Sequence, residues 1–298
     1  MMRKKLKNEY DRGGALAVIL LLPSLLFMSI IMLYPLVYSV YLSFYNYQIT
    51  RPLEIAFDPM RNINRLLMDD IFRTSLWNTA VFTTFTVFIG IVLGMVFAIM
   101  IDQLPLKLHK MRGVVLMPWV IPGIVVGYLF MYIFDTNVGI ANHLLYTLGI
   151  IESYLPWLMR GNLAMAAVII ANVWNQAPFY MLMFTAALKS IPDSMKEAAY
   201  VEGASRWQEF IHITLPSIKG VVVITSLLMV IRNFNNFPII FTMTGGGPVH
   251  STLTSVLYIY RVAFEHFNMG YASLLGVLWV IILLFFAIIY VRLLNKDF

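Results

Sequence analysis

Stretches free of charge alternate with short polar segments along this chain. No charged residue lies between Arg12 and Arg51, and 15–42 is almost wholly apolar, interrupted by Pro23 and Pro35. A further 28 uncharged residues separate Arg73 from Asp102, 22 separate Arg112 from Asp135, and 28 separate Arg160 from Lys189. Residues 220–242 carry one charge, Arg232, and none lies between His266 and Arg292. About 20 apolar residues in a helix cross the hydrocarbon core of a bilayer, so each stretch is long enough. The pattern predicts an all-α polytopic membrane protein with helices crossing at about 15–42, 75–101, 113–134, 162–188, 220–242 and 269–291.

Composition narrows the class. The chain of 298 residues is 60% hydrophobic and 12% charged, about half the charge of a soluble domain, and its mean hydropathy is +0.79. A soluble enzyme, a nucleic-acid-binding domain and a disordered chain are excluded, so the net charge of +6 does not point to nucleic acid. It belongs to loops held on the cytoplasmic side. With the N-terminus inside, 14 Lys and Arg fall in cytoplasmic segments and 6 in outer ones, which predicts N-in and C-in. The first stretch has the basic start of a secretory leader (Arg3, Lys4, Lys5, Lys7). Its apolar run is about twice a leader's core and no small-x-small site ends it, so it is expected to remain as a helix.

Candidate chemistry is sparse. With no cysteine, disulfides, iron–sulfur clusters, thiolate zinc sites and cysteine nucleophiles are excluded. His109, His143, His212, His250 and His266 are scattered and form no metal-ligand spacing, so neither metal nor cofactor is expected. Gly90 and Gly94 form a G-x-x-x-G packing pair. Tyr34, Tyr38, Tyr41, Phe44, Tyr45 and Tyr47 read as an interface belt. In the outer loop 44–74, Ile63, Leu66, Leu67 and Ile71 stand at helical spacing, as a short helix on the membrane surface would have them. The loop 135–161 is short, and the Gly-Gly-Gly-Pro at 245–248 stops any helix.

The cytoplasmic loop 189–219 is charged yet patterned for structure. Ser194 and Glu197 have the spacing of a capping box after Ile191-Pro192-Asp193. Gly203 permits a bend. Trp207, Phe210, Ile211 and Thr214 then share a helical face, and Leu215-Pro216 is expected to end that second helix before the fifth span.

The run Glu197-Ala198-Ala199, Gly203, Ile213, Leu215-Pro216 resembles the EAA loop of binding-protein-dependent ABC transporter permeases, carbohydrate branch (maltose/glycerol-phosphate-like). Asn78-Thr79, Leu116-Met117-Pro118-Trp119, Gly139-Ile140-Ala141-Asn142 with Leu144-Leu145, Trp174, Phe234, Phe237, and Thr244 with 245–248 agree in order. The likeness spans about 15–292. Glu202 stands where many members have Asp, and Lys219-Gly220 where many have a second proline. The resemblance implies a type I ABC importer permease in a bacterial or archaeal plasma membrane. It implies three kinds of partner: a second homologous permease, two ATP-hydrolysing subunits, and an extracytoplasmic protein that delivers a sugar or oligosaccharide. Energy comes from the ATPase, since this chain has no phosphate-binding G-x-x-x-x-G-K-[ST] loop. The loop 189–219 is the implied coupling element, with Glu197, Ala198, Ala199 and Gly203 as its docking core and Glu202 and Arg206 as rim charges. Lying on lipid headgroups is the alternative for this loop, but its four Lys/Arg are matched by four Asp/Glu, not the cation-rich face such a helix shows.

Solute contacts are expected on the fifth span. Thr225, Met229, Arg232, Asn233 and Asn236 fall on one helical face, and guanidinium and amide groups suit sugar hydroxyls. An Arg at mid-membrane costs about 2.5–3.5 kcal/mol unless it faces a polar cavity or a partner. Phe234 and Phe237 are placed to stack on a sugar face, and Asn172, Asn175, Gln176 and Phe179 make a similar stripe on the fourth span. Interhelical hydrogen bonding is the competing reading for these amides. Arg232 suits a phosphate ester equally, which leaves glycerol-3-phosphate or another phosphorylated polyol as an alternative cargo. An ion-coupled secondary transporter needs intramembrane carboxylates, and a membrane enzyme needs an acid, base or nucleophile at membrane depth. All 15 acidic residues lie outside the spans or at their ends.

Overall fold

The computed structural model describes residues 18–102 and 111–294. In chain order the elements are α1 (Val18–Ser43), β1 (Tyr45–Asn46), β2 (Ala56–Phe57), α2 (Pro59–Leu67), α3 (Asp70–Asp102), α4 (Met111–Val120), α5 (Gly123–Ile133), α6 (Ile140–Thr147), α7 (Gly161–Leu188) and α8 (Asp193–Val201). Then come α9 (Arg206–Phe234), α10 (Pro238–Met243), α11 (Ser255–Tyr260) and α12 (Met269–Leu294). Among the described residues, five helices are long and apolar enough to cross a membrane: α1, α3, α7, α9 and α12 as far as Tyr290. The N-terminal basic residues, Lys107, Lys110 and Lys296 lie outside the described residues, as does the start of the expected first span.

The stretch expected as one span over 113–134 is a broken pair. Helices α4 and α5 meet at 99° across Ile121-Pro122. Pro122 disfavours helix at the residue before it, and the turn frees carbonyls that α4 would otherwise have used. If the pair counts as one crossing, the total reaches six. The fifth span also departs from the expected 220–242. Helix α9 ends at Phe234, and the chain restarts as α10 at Pro238, a residue suited to a helix's first turn. The short loop 135–161 contains α6, which periodicity did not single out.

The chain divides into two compact units. One comprises Met1–Met68 and Ile259–Ile281. Within it, α1 is exposed over the whole apolar window, and Tyr34, Tyr38 and Tyr41 stack along it at 6.0 and 6.1 Å. The strands β1 and β2 pair antiparallel, Tyr45 opposite Phe57. Asp58 caps α2 by accepting from the Arg61 N–H. Asn62, almost fully buried, donates to the carbonyls of Ser43 and Tyr45, each at 2.9 Å, and so pins α2 to the end of α1. The Arg65 guanidinium lies 4.3 Å over the Tyr271 ring.

The other unit comprises Asp69–Tyr258 and Ile282–Phe298. Its centre is the pairing of α3 with α7. Lipid tails are as apolar as the side chains they would release, so helices associate by close fit. A Cβ on Gly90 or Gly94 would run into Tyr180, which is completely buried on α7. The packing reading of that glycine pair therefore has a named partner. Around it Met95, Ala98, Phe184, Leu188, Ile218 and Met229 form one apolar core from α3, α7 and α9. In the same way, Gly127 of α5 packs on the Thr242 side chain of α10.

Several of the motif residues hold loops in this unit. Asn78 donates to the carbonyls of His250 and Leu253 at 2.7 and 3.1 Å, and Thr79 accepts from the Ser255 N–H at 2.9 Å. Gly245 and Gly246 take positive φ of 56° and 92°, which glycine adopts without a Cβ penalty. Thr244 and Thr252 close that turn through hydroxyls 2.7 Å apart. Asn142 is fully buried, donates to the carbonyls of Thr136 and Leu155, and accepts from Leu155 N and Trp157 Nε1. All of its amide valences are used.

Candidate coupling segment and polar interior

The 189–219 segment folds as two helical pieces around a bend, with changed boundaries. Helix α8 begins at Asp193, and Pro192 precedes it with no side-chain cap. The box expected from Ser194 and Glu197 does not form, because the helix has already started one residue earlier. The box forms at the second helix instead. The Ser205 N–H donates to Gln208 Oε1 at 2.8 Å, and the Gln208 N–H donates to Ser205 Oγ at 3.3 Å. The S-x-x-Q spacing was the signal available in the sequence.

Between the two pieces, α8 ends in a Schellman motif. The Ala204 N–H reaches the Ala199 carbonyl at 3.0 Å and the Gly203 N–H the Tyr200 carbonyl at 3.1 Å. Gly203 has φ +80°, and a Cβ there would meet nothing within 4 Å. Glycine is required for conformation, not for space. Glu197, Ala198, Glu202, Gly203 and Arg206 are exposed, and Ala199 alone of the expected docking core is buried. Tyr200 and Val201 are 84% and 85% exposed. Sequence reasoning passed over both. Both stand outside the core on a charged loop.

Leu215-Pro216 does not end the second helix. The backbone widens into a π turn over Phe210–Thr214, the Leu215 N–H reaching the Phe210 carbonyl, and continues through Pro216 to Phe234. The wider turn makes room for a residue that has no N–H and a bulky ring. Beneath the segment lies an apolar groove of about 920 Å³. Met95, Ile99, Trp207, Phe210 and Val222 line it, and Lys196 and Asp102 face each other at 3.9 Å.

The amides expected to meet solute separate into two groups. Asn233 is buried, donates to Gln176 Oε1 at 3.0 Å and to the Met229 carbonyl at 2.8 Å, and accepts from Asn172 at 2.6 Å. Gln176 in turn donates to Asn172 Oδ1 at 3.0 Å. These residues close a cluster between α7 and α9, as interhelical bonding predicts. Asn175 donates to the Pro118 and Ile121 carbonyls at 2.6 and 3.3 Å, the acceptors freed where α4 breaks from α5. Phe234 packs edge-on against Phe286 at 5.4 Å.

The second group lies at the margin. Asn236 is half-buried and donates to Asn172 Oδ1 at 2.7 Å, while its own Oδ1 has no partner. Phe237 stacks on Phe241 at 4.9 Å. Arg232 is exposed, apart from the buried Thr225, Met229 and Asn233 of the same helical turns.

Residues 90–298 match the family described as "Binding-protein-dependent transport system inner membrane component". The sulfoquinovosyl glycerol transport system permease protein SmoG of Agrobacterium fabrum is 34% identical over 95% of this chain and 91% of its own length. The trehalose/maltose transport system permease protein MalF of Thermococcus litoralis is 30% identical, over 94% of each chain. The fold matches a chain of a bacterial alginate ABC transporter solved with an alginate pentasaccharide-bound periplasmic protein. That match has a TM-score of 0.79 and 21% identity, over 96% of each chain. With the family matched over more than half its length and relatives aligned almost end to end, this chain belongs to the inner membrane components of binding-protein-dependent transport systems, as a multi-pass permease.

Proposed function

We propose that this chain forms half of the translocation pathway of an ATP-driven importer for a sugar or oligosaccharide. A second, homologous permease completes the pathway, two ATPase subunits hydrolyse ATP, and an extracytoplasmic binding protein delivers the solute. Both termini face the cytoplasm. The sugar class rests on relatives named for sulfoquinovosyl glycerol and trehalose/maltose.

The carrying observation is α8 and its bend. A short helix with Glu197, Ala198, Glu202, Tyr200 and Val201 exposed, locked to the next helix by Gly203, fits a groove on an ATPase subunit. Recognition by a short helix laid into a groove is a recurrent mode of docking. Glu197, Glu202 and Arg206 would supply rim charges. Because α9 continues from Arg206 through its π turn to Phe234, a push on the segment passes to the solute-facing end of that helix. Arg232, Asn236 and Phe237 are our candidates for lining the pathway. Asn233 and Asn175 act behind them, by holding α9 to α7 and the α4–α5 break to α7.

Affinity purification from the native membrane, with mass spectrometry of what accompanies the chain, tests this reading. An ATPase subunit and a second permease should co-purify. Glu197→Lys or Gly203→Pro should release the ATPase and abolish uptake while the chain still inserts. ATP-driven uptake surviving both changes would remove the coupling role.

A further inference from the structure

Helix α8 has two faces. Glu197, Tyr200 and Val201, at i, i+3 and i+4, share one face and are exposed. Lys196 and Ala199, three apart, share the other, where Ala199 is buried and Lys196 half-buried. The exposed face is the one offered to an ATPase subunit. The inner face reaches α3, a helix that neither precedes nor follows α8 in the chain. Lys196 Nζ lies 3.9 Å from Asp102 Oδ2, with the two side chains 30% and 29% exposed. Ile191, just ahead of α8, is buried in one core with Ala98 and Ile101 from the last turns of α3.

Asp102 is the final residue of α3, and no basic residue stands in that last turn. A carboxylate there meets the negative end of the helix dipole, where a cation is the stabilising choice. A residue placed against local preference is compensated elsewhere, and here Lys196 compensates it from another element. At 3.9 Å the pair is too long for a hydrogen bond. It is a charge contact, which tolerates sliding better than a directional bond does, and that suits a joint between moving parts.

We propose that Lys196 and Asp102 form a second joint of the coupling segment, which carries movement of α8 into α3 while α9 carries it toward Phe234. Both are positioning residues, acting through helices and touching neither solute nor nucleotide. Moving α3 has reach. The fit of Tyr180 against Gly90 and Gly94 binds it to α7. At its far end Asn78 and Thr79 hold the carbonyls of His250 and Leu253 and the Ser255 N–H, in a stretch that the proposed orientation puts outside. One helix of 33 residues thus joins the coupling segment to that outer stretch. The inference rests on the proposed docking of 189–219 onto an ATPase subunit.

The test is ATP hydrolysis by the whole transporter in proteoliposomes, with and without its binding protein, purified with whatever solute it holds. The binding protein acts outside and the ATPase inside, so stimulation is read through the permease. Asp102→Lys should keep the ATPase subunit and unfold at nearly the wild-type temperature, because a partly exposed pair adds little stability. It should nonetheless lower the stimulation by about fivefold or more. Asp102→Glu should retain most of it, and Asp102→Lys combined with Lys196→Asp should regain it. A second arm uses the absence of native cysteine. Asp102→Cys with Lys196→Cys should couple poorly as free thiols and recover when a flexible bis-maleimide joins them. Wild-type stimulation in Asp102→Lys, or a thiol pair indifferent to joining, overturns the inference. So does a loss that the charge swap fails to repair while the ATPase stays bound, which would make Asp102 a packing residue. If the wild-type transporter holds no ATPase, the docking reading fails and this inference falls with it.

Discussion

Gly203 carries its role in one torsion angle. At φ +80° with open space around it, any L-residue there pays only the left-handed backbone cost, about 1–2 kcal/mol. Gly203→Ala should therefore loosen α8 without disturbing the core, seen as faster amide exchange over 193–205, and Gly203→Asn should be milder because Asn tolerates that region. Gly94 is the opposite case. Its added Cβ meets the Tyr180 side chain, so Gly94→Val should cost about 1–3 kcal/mol through overpacking, read as a lower detergent unfolding temperature. Both glycines were legible, one from the break it makes in a charged loop and the other from its spacing to Gly90. The amides were legible only as a stripe. Nothing in the spacing of Asn172, Gln176, Asn233 and Asn236 says that all four hydrogen-bond to one another in one cluster, because that depends on how α7 meets α9.

Prolines decide the elements, each by its context. Pro122 breaks α4 from α5 at 99°, Pro238 opens α10, and Pro178 and Pro216 sit within continuing helices. Long charge-free runs placed the main helices, since their signal comes from 20 or so residues at once. The ends and breaks were not legible, because they depend on local carbonyls finding new donors. Asn175 supplies that donor for Pro118 and Ile121. Asn175→Leu should leave the Ile121 carbonyl without this donor and the Pro118 carbonyl with only the Ile121 N–H, at a cost of about 1–3 kcal/mol, and unsettle the α4–α5 turn, measurable as protease cutting or exchange over 118–124. Ser205→Ala removes half of the observed capping box and should cost about 1 kcal/mol, confined to the first turn of α9. Ser194→Ala, at the box that does not form, should change stability little.

At the scale of the molecule, the class was legible from hydropathy and the two helical pieces of 189–219 from residue spacing, because both are sequence-local. The large exposed apolar side chains, Tyr200 and Val201, became meaningful only once the structure left them in solvent. The π turn at Phe210–Thr214 has a consequence for phase. It inserts one extra residue between the bend and the membrane part of α9, and a residue is about 100° of helical rotation. Deleting one residue from that turn, together with Pro216→Ala to remove the ring that needs the space, would restore an unbroken α-helix. It would also swing the whole docking segment about a third of a turn around the helix axis. Such a variant should unfold at a higher temperature than wild type and yet, on the proposed docking role of 189–219, fail to hold an ATPase subunit, a protein made sturdier by the change that points its handle the wrong way.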